Sequence, residues 1–262
     1  MGIVNATPDS FSGDGRDARS ALAQGLALIA AGADMLDIGC ESTRPGARLV
    51  DQVEEIFRVE ALVAELRART EVPISIDTMK PAVARRAVAD GAAMWNDITA
   101  LRHAPDSPAT AAELGCEVVL MHMRGDPRTM QIAPTYADVV SEVIEFLEQR
   151  ADVAIAAGVE KAKIWLDPGI GFGKTLQHNL ALLKALPRIV ALGFPVLLGA
   201  SRKGFIGKID LTASSPGDRL GGSLAVALAG ARAGVAALRV HDVYETKQAL
   251  RVEAAISEGR LG

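Results

Sequence analysis

The sequence predicts an α/β fold of eight parallel strands and eight helices, a (β/α)8 or TIM barrel, and three observations carry that prediction. Short apolar runs alternate with helix-period segments along all 262 residues. Most of the runs end in a residue able to hold a ligand: Asn5, Asp37, Asp77, Asn96, His122, Asp167, Ser201 to Lys203, and Arg239 with His241. Connections after the runs are long and irregular, whereas those after the helices are short. Parallel strands need crossovers long enough to hold a helix, and a barrel gathers the carboxyl ends of its strands at one mouth, where the loops carry the chemistry. Counting units favours closure over an open doubly wound sheet without excluding the latter. A content of 49% hydrophobic residues suits one domain, 1–262, since such barrels commonly take about 250 residues.

The first strand is expected at 2–5 and ends in Asn5, before a loop of turn formers that includes Asp9, Ser10 and Phe11. A helix over 17–31 sets Leu22, Leu26 and Ile29 on one face, with Gly32 as its stop. Strand 34–39 leads into a second loop with Ser42, Thr43, Arg44 and Pro45, followed by helix 51–69. The two loops are expected to be mobile and to close over the mouth, excluding water. Strand 73–77 ends in Asp77, and helix 81–90 leads to strand 93–98, which holds Asn96. Side chains alternate along a strand, so Asp97 should face away from Asn96 and serve structure.

Helix 108–114 precedes strand 117–122, where Met121 and His122 face opposite sides; Met121 is assigned to the pocket and His122 to the core. Helix 136–157, strand 163–167, helix 177–191, strand 195–200, helix 217–233, strand 236–241 and helix 243–257 complete the series. Trp95 and Trp165 read as packing between barrel and helices. His103 and His178 have no compelling context.

Bulk properties exclude several classes of function. The net charge of −4 argues against a nucleic-acid or anionic-membrane surface, which needs a basic excess. Cys40 and Cys116 lie far apart without metal-ligand spacing, so neither a disulfide framework nor a structural zinc is expected. A reducing, cytoplasmic setting fits. No apolar stretch reaches the roughly 18 residues of a membrane span, and the amino terminus lacks the pattern of a signal peptide.

Arg239 and His241, two apart on a strand, point to the same side, and a guanidinium fork beside an imidazole donor suits a phosphate-like anion. Alternatively, Arg239 pairs with Asp242 or Glu245 and His241 caps the strand. Ser201-Arg202-Lys203-Gly204 sets two cations and a hydroxyl at the neighbouring strand end, where barrels often hold phosphate. Ser201 and Lys203 share a face if extended geometry persists; a solvated basic turn is the other reading. Asp167-Pro-Gly-Ile-Gly-Phe-Gly-Lys-Thr175 ends like a P-loop, but Pro168 stands where that motif needs glycine. Its glycines suggest a loop moulded around a ligand, or an ordinary turn with Asp167 satisfying backbone amides. Asp77, Asn96 and Asp167 suit a heterocycle with adjacent N–H donors, such as a 2-amino-4-oxo pyrimidine edge, because a carboxylate accepts two parallel N–H bonds. Each of the three alone is also common as a cap or turn former.

Taken together and in order, Gly2-Ile-Val-Asn-Ala-Thr-Pro-Asp-Ser-Phe-Ser12, Asp37-Ile-Gly-Cys-Glu-Ser-Thr-Arg-Pro-Gly46, Ser75-Ile-Asp-Thr78, Asn96-Asp-Ile98, Leu120-Met-His-Met123, Asp167 to Lys174, Ser201-Arg-Lys203 and Arg239-Val-His-Asp242 make the chain resemble the dihydropteroate synthases. The resemblance implies a (β/α)8 barrel that joins 6-hydroxymethyl-7,8-dihydropterin diphosphate to p-aminobenzoate, releasing diphosphate. It implies that Asp77, Asn96 and Asp167 hold the pterin, that Ile98 and Met121 line its slot, and that Lys203 bonds to and packs on the ring. Asn5, Arg239 and His241 would hold the diphosphate, with Asn5 also contributing to a Mg2+ site. Thr43, Pro45, Phe172, Ser201 and Lys203 would receive p-aminobenzoate.

Asp167, Lys203, Arg239 and His241 would then carry catalysis, in which the C–O bond to diphosphate breaks first and the aromatic amine captures a pterin cation. The resemblance also implies a homodimer; the small-residue-rich helix 217–233 permits close packing. Asp37 and His122 fall to structural support. Three departures stand out. The chain starts at Met1-Gly-Ile-Val-Asn5, where relatives usually have a leader that helps close the barrel floor, so either a start site is misplaced or the floor is expected to be thinner. Gly13-Asp14-Gly15 replaces the usual Asp-Gly-Gly order, and Cys40 stands where a glycine is typical. Two other readings are a methyltetrahydrofolate methyltransferase, against which the anion-holding residues speak, and a pterin-binding paralogue without turnover.

Overall fold

The computed structural model describes residues 1–6, 16–41, 50–127 and 129–259. Six strands follow one another as parallel neighbours: β1 (Gly2–Asn5), β2 (Leu36–Gly39), β3 (Ile74–Asp77), β4 (Met94–Asp97), β5 (Glu117–Met121) and β6 (Ile164–Asp167). β7 (Leu197–Leu198) and β8 (Ala237–Leu238) form a parallel pair. Two bridges close the ring, Leu166 with Val196 between β6 and β7, and Gly2 with Val240 between β1 and β8. Backbone bonds from Leu166 N to Pro195 O (2.9 Å) and from Ile3 N to Val240 O (3.0 Å) support them. The result is the expected (β/α)8 barrel. Its last two strands are shorter than 195–200 and 236–241 because Val196 O accepts from both Ala236 N and Ala237 N, which interrupts the regular ladder.

Among the described residues ten helices surround it: α1 (Arg16–Ala30), α2 (Gln52–Arg67), α3 (Pro81–Ala89), α4 (Ser107–Leu114), α5 (Val139–Ala156), α6 (Leu176–Lys184), α7 (Leu186–Val190), α8 (Gly204–Ile209), α9 (Leu220–Ala233) and α10 (Val243–Glu258). Asp51 and Asp138 accept from Val53 N (2.9 Å) and Val140 N (3.1 Å), satisfying orphan amides at the starts of α2 and α5. The cap at Asp138 also explains why α5 begins later than 136. The expected helix 177–191 is two helices, since Pro187 has no N–H to donate and its ring crowds the carbonyl one turn back. α8 occupies part of the connection expected to be irregular. Among the described residues no helix is long and apolar enough to cross a membrane.

The strands' alternation sorts the core into two layers. Outward residues such as Val4, Leu36, Ile38, Ile74, Ile76, Trp95, Val118, Leu120, Ile164 and Leu166 pack with helix residues including Leu62, Leu66, Val143, Leu147 and Leu182. Inward residues near the amino ends form a separate floor of Met1, Met94, Val119 and Leu197 with Met35, Trp165 and Ala237. Trp165 is therefore a correction: it shares the inward parity of Asp167 and fills the barrel, whereas Trp95 packs against helices as expected. Their indoles also differ, for Trp95 Nε1 donates to Thr78 O at 2.7 Å, while Trp165 Nε1 is buried without a partner.

That difference can be measured. Replacing either tryptophan by phenylalanine trims the ring, but only Trp95→Phe leaves a carbonyl without its donor. Urea unfolding should therefore show Trp95→Phe to be costlier than Trp165→Phe by about 1 kcal/mol; the reverse order would refute the pairing.

Candidate active site

Strand register aligns the polar ends. Asn5 lies beside Gly39, Gly39 beside Asp77, and Asp77 beside Asn96, while Met121 lies beside Asp167. The same parity that buries the floor residues turns these side chains into the mouth. Asn96 and Asp167 are buried and Asp77 is nearly so, whereas Asn5 is exposed.

Arg239, just past β8, reaches across the barrel. Its Nε donates to Asp37 Oδ2 at 2.5 Å and its Nη2 donates to Asp77 Oδ2 at 2.7 Å. Asp37 is fully buried and also accepts from Asn96 Nδ2 at 3.3 Å. The alternative partner Asp242 is taken by Arg202, whose Nε donates to it at 2.9 Å. Burial alone would lower the Arg239 pKa, but Asp37 and Asp77 raise it above the ordinary arginine value. Burial pushes the Asp77 carboxyl up to about 7 against the opposing pull of Arg239, and the carboxylates of Asp37, Glu55 and Asp97 add to the rise.

On the opposite wall, Asp167 Oδ1 accepts from Gly169 N at 2.7 Å. Burial raises its pKa, and Lys203 opposes the rise. Lys203 donates to Ile170 O, and its ammonium sits 4.4 Å from the centroid of the Phe172 ring. Burial brings the Lys203 pKa down to about 8, against the attraction of Asp167. Gly199 lies between the two walls; a Cβ there would stand 3.8 Å from Asp167 Oδ2 and 3.7 Å from Arg239 Cδ. Beside them Ile98 and Met121 pack with Met123 and Met130, against Met79 and Phe172, as an apolar slot.

Ser201 and Lys203 do not share a face. Arg202 adopts a left-handed φ of 57°, so the strand geometry ends there and the two side chains part. Ser201 Oγ accepts from His241 N at 3.2 Å and lies 3.0 Å from His241 Nδ1. Serine and imidazole are thus held together at the end of the barrel's eighth strand.

Several expectations for support roles hold in the geometry. Asp97 accepts from Thr99 N (2.8 Å) and Leu101 N (2.7 Å), shaping the turn after β4. His122 is buried against Lys174. His178, which had no assigned task, completes a capping box with Thr175 at the start of α6. Asp9, Ser10, Phe11, Ser42, Thr43, Arg44 and Pro45 lie outside the described residues. Sequence reasoning missed the reach of Asp37, although its inward parity with Gly39 was a usable signal. It also missed Met79, Met123 and Met130, whose spacing carries none.

A sequence model of the family described as pterin binding enzyme matches residues 1–241. A dihydropteroate synthase of Neisseria meningitidis serogroup B is 47% identical over 263 residues, covering 98% of this chain and 92% of that protein. The chain belongs to the dihydropteroate synthase family of pterin-binding enzymes. Solved family structures superpose closely. A Xanthomonas albilineans dihydropteroate synthase with 4-aminobenzoic acid is 50% identical, with a TM-score of 0.91 over 98% of this chain and 92% of that one. A Xanthomonas albilineans synthase in complex with 7,8-dihydropteroate gives 44% and 0.87 over the same shares.

In this family member, Asp37→Asn keeps the size of the side chain and removes its charge, leaving Arg239 with one carboxylate. Urea unfolding should register a loss of about 2 kcal/mol, within the range for breaking one arm of a buried ion pair. An unchanged midpoint would mean that Asp77 alone suffices to hold Arg239.

Proposed function

We propose that the chain condenses 6-hydroxymethyl-7,8-dihydropterin diphosphate with p-aminobenzoate to give 7,8-dihydropteroate and diphosphate, with residues 1–262 working as one barrel domain. The observation that carries this reading is the division of the mouth into two walls. Carboxylates, a carboxamide and an apolar slot stand on β3 to β6, and cationic and imidazole groups stand after β7 and β8. A flat heterocycle with N–H donors fits the first set and a diphosphate the second.

In this reading Asp77, Asn96 and Asp167 bind the pterin edge, with Ile98 and Met121 on its faces and Lys203 on the ring. The Arg239 fork has N–H donors beyond those given to Asp37 and Asp77, and with the His241 imidazole they meet the diphosphate. Thr43, Pro45, Phe172, Ser201 and Lys203 receive p-aminobenzoate. Cleavage of the C–O bond leaves negative charge beside Arg239 and His241 and positive charge beside Asp167, so both fragments are stabilised by groups already in place. The aromatic amine then captures the pterin carbon, without a covalent enzyme intermediate.

The exposed carboxamide of Asn5 fits Mg2+, a hard cation that takes oxygen donors and keeps much of its water. Among the described residues no group of three or more His, Cys, Asp or Glu side chains could hold a metal, so Asn5 would hold the ion together with the substrate's own oxygens. When bound, Mg2+ would supply neutralising charge to the departing diphosphate. We also propose a cytoplasmic homodimer, with the small residues Gly221, Ala225 and Ala229 along α9 available for close packing; light scattering that finds only monomer would refute it.

Incubation with both substrates and detection of dihydropteroate tests the activity. Tight binding of the pterin diphosphate without diphosphate release would sink it. The pH profile follows from the two shifted groups. Asp77, raised to about 7, loses its accepting charge below that pH, and Lys203, lowered to about 8, loses its cation above that pH. A plot of kcat/KM should therefore rise through about 7 and fall through about 8. Lys203→Arg, whose guanidinium does not titrate there, should move the alkaline limb upward; an unmoved limb would assign it elsewhere. Arg239→Ala should weaken binding of the diphosphate substrate more than binding of free pterin, and equal losses would make Arg239 a structural group.

A further inference from the structure

The loop after β6, Pro168 to Lys174, has no ladder or helix to satisfy its carbonyls, yet buried carbonyls need donors. Side chains supply them. Ile170 O accepts from Lys203, Gly171 O from Gln131 Nε2 at 2.6 Å, and Gly173 O from Tyr136 OH at 2.8 Å. Gly169 O and Phe172 O both accept from Lys174 Nζ, at 2.9 and 3.0 Å. The same nitrogen reaches the end of β5, lying 3.2 Å from His122 O and 2.8 Å from His122 Nδ1, so its N–H groups are shared among four acceptors. Lys174 is only 2% exposed and its side-chain nitrogen is fully engaged within residues 122 and 169–172, so its Gly-Lys-Thr context serves the loop. Gly169 makes the approach possible, since φ is +67° and a Cβ would collide with the carbonyl oxygen of His122.

Three groups assigned to substrates depend on this loop. Asp167 accepts from Gly169 N, Ile170 O seats the Lys203 ammonium, and the Phe172 ring lies against the same ammonium. Strand register fixes Asp77, Asn96 and Met121 without the loop, and it sets the backbone of Asp167, whose carboxylate the loop then holds. Phe172 and the Ile170 carbonyl stand on the loop itself, beyond the strand ladder, with Phe172 packed on the apolar slot and Gly171 N donating to Asn179 Oδ1 at 2.7 Å. We propose that Lys174 is a positioning residue for the p-aminobenzoate subsite: its buried side-chain nitrogen ties residues 169–172 to the end of β5 and so aims Phe172 and, through Ile170 O, Lys203. The inference rests on the synthase reading above, and Lys174 itself touches no substrate.

Lys174→Met keeps the stem and removes the donors. At saturating pterin diphosphate its KM for p-aminobenzoate should rise about tenfold or more, the cost of orphaning a buried acceptor, and by clearly more than the Kd for pterin diphosphate, because Asp77, Asn96 and Met121 keep their strand-set positions. Hydrogen exchange should quicken at the amides of Gly171 and Phe172, and not in β3 or β4. Equal losses for both substrates, or unchanged exchange at those two amides, would overturn the proposal. If Lys174→Met does not fold, Tyr136→Phe decides, because it removes the donor to Gly173 O at the other end of the loop. A smaller rise in the same KM supports the proposal and an unchanged KM overturns it. A native chain that forms no dihydropteroate would defeat the synthase reading separately, leaving the exchange measurement to judge the role of Lys174 in ordering the loop.

Discussion

Arg239 bridges the barrel mouth to Asp37 and Asp77, and the arrangement of the site depends on that bridge. A buried carboxylate without a partner is costly, and here two of them stand on adjacent strands beneath a third polar group, Asn96. One guanidinium from just past β8, two strands from β2 and three from β3 around the ring, compensates both. Asp37 in turn accepts from Asn96, so the cation of β8 orders residues on β2, β3 and β4 together. The barrel's closure is what allows this reach: without the bridges joining β1 to β8 and β6 to β7, the two walls would not face each other.

The site uses two kinds of support. Asp77, Asn96, Met121 and Asp167 stand on strands, whose ladder sets their height and direction. Lys203 and Phe172 stand beyond strand ends, and side-chain donors take the place of the ladder there. Lys174, Gln131 and Tyr136 hold the loop that bears Phe172, while the left-handed turn at Arg202 separates Ser201 from Lys203. In the proposed reaction the strand-borne groups would read a rigid heterocycle, and the loop-borne groups would complete the neighbouring subsite. Near-neutral titration of Asp77 and Lys203 comes from the same burial that gives the walls their strength.

Much of the fold and site was legible in the residues. Strand ends bearing Asp77, Asn96 and Asp167 could be read because side-chain parity is local and the period is two. Alternation of strands with helices gave the barrel for the same reason. Pro187 offered a local signal for a helix break that periodicity alone overrode. Trp165 was misplaced because an apolar strand residue can face the helices or the barrel interior, and hydrophobicity does not distinguish the two. The partners of Arg239 were misjudged in kind: sequence neighbours Asp242 and Glu245 were weighed, but the acceptors lie 202 and 162 positions away.

By itself the sequence determined the order of elements, the polar strand ends, the family and hence the class of chemistry, since all of these reside in local pattern and motif identity. The tertiary structure decided which groups share a hydrogen bond. Arg239 with Asp37, Lys174 with His122, and Ser201 with His241 are pairings across a closed ring, set by register and by the direction of turns. Those contacts arise when the burial that closes the barrel forces each polar group to find whichever partner the fold has brought near. No spacing in a linear chain encodes that.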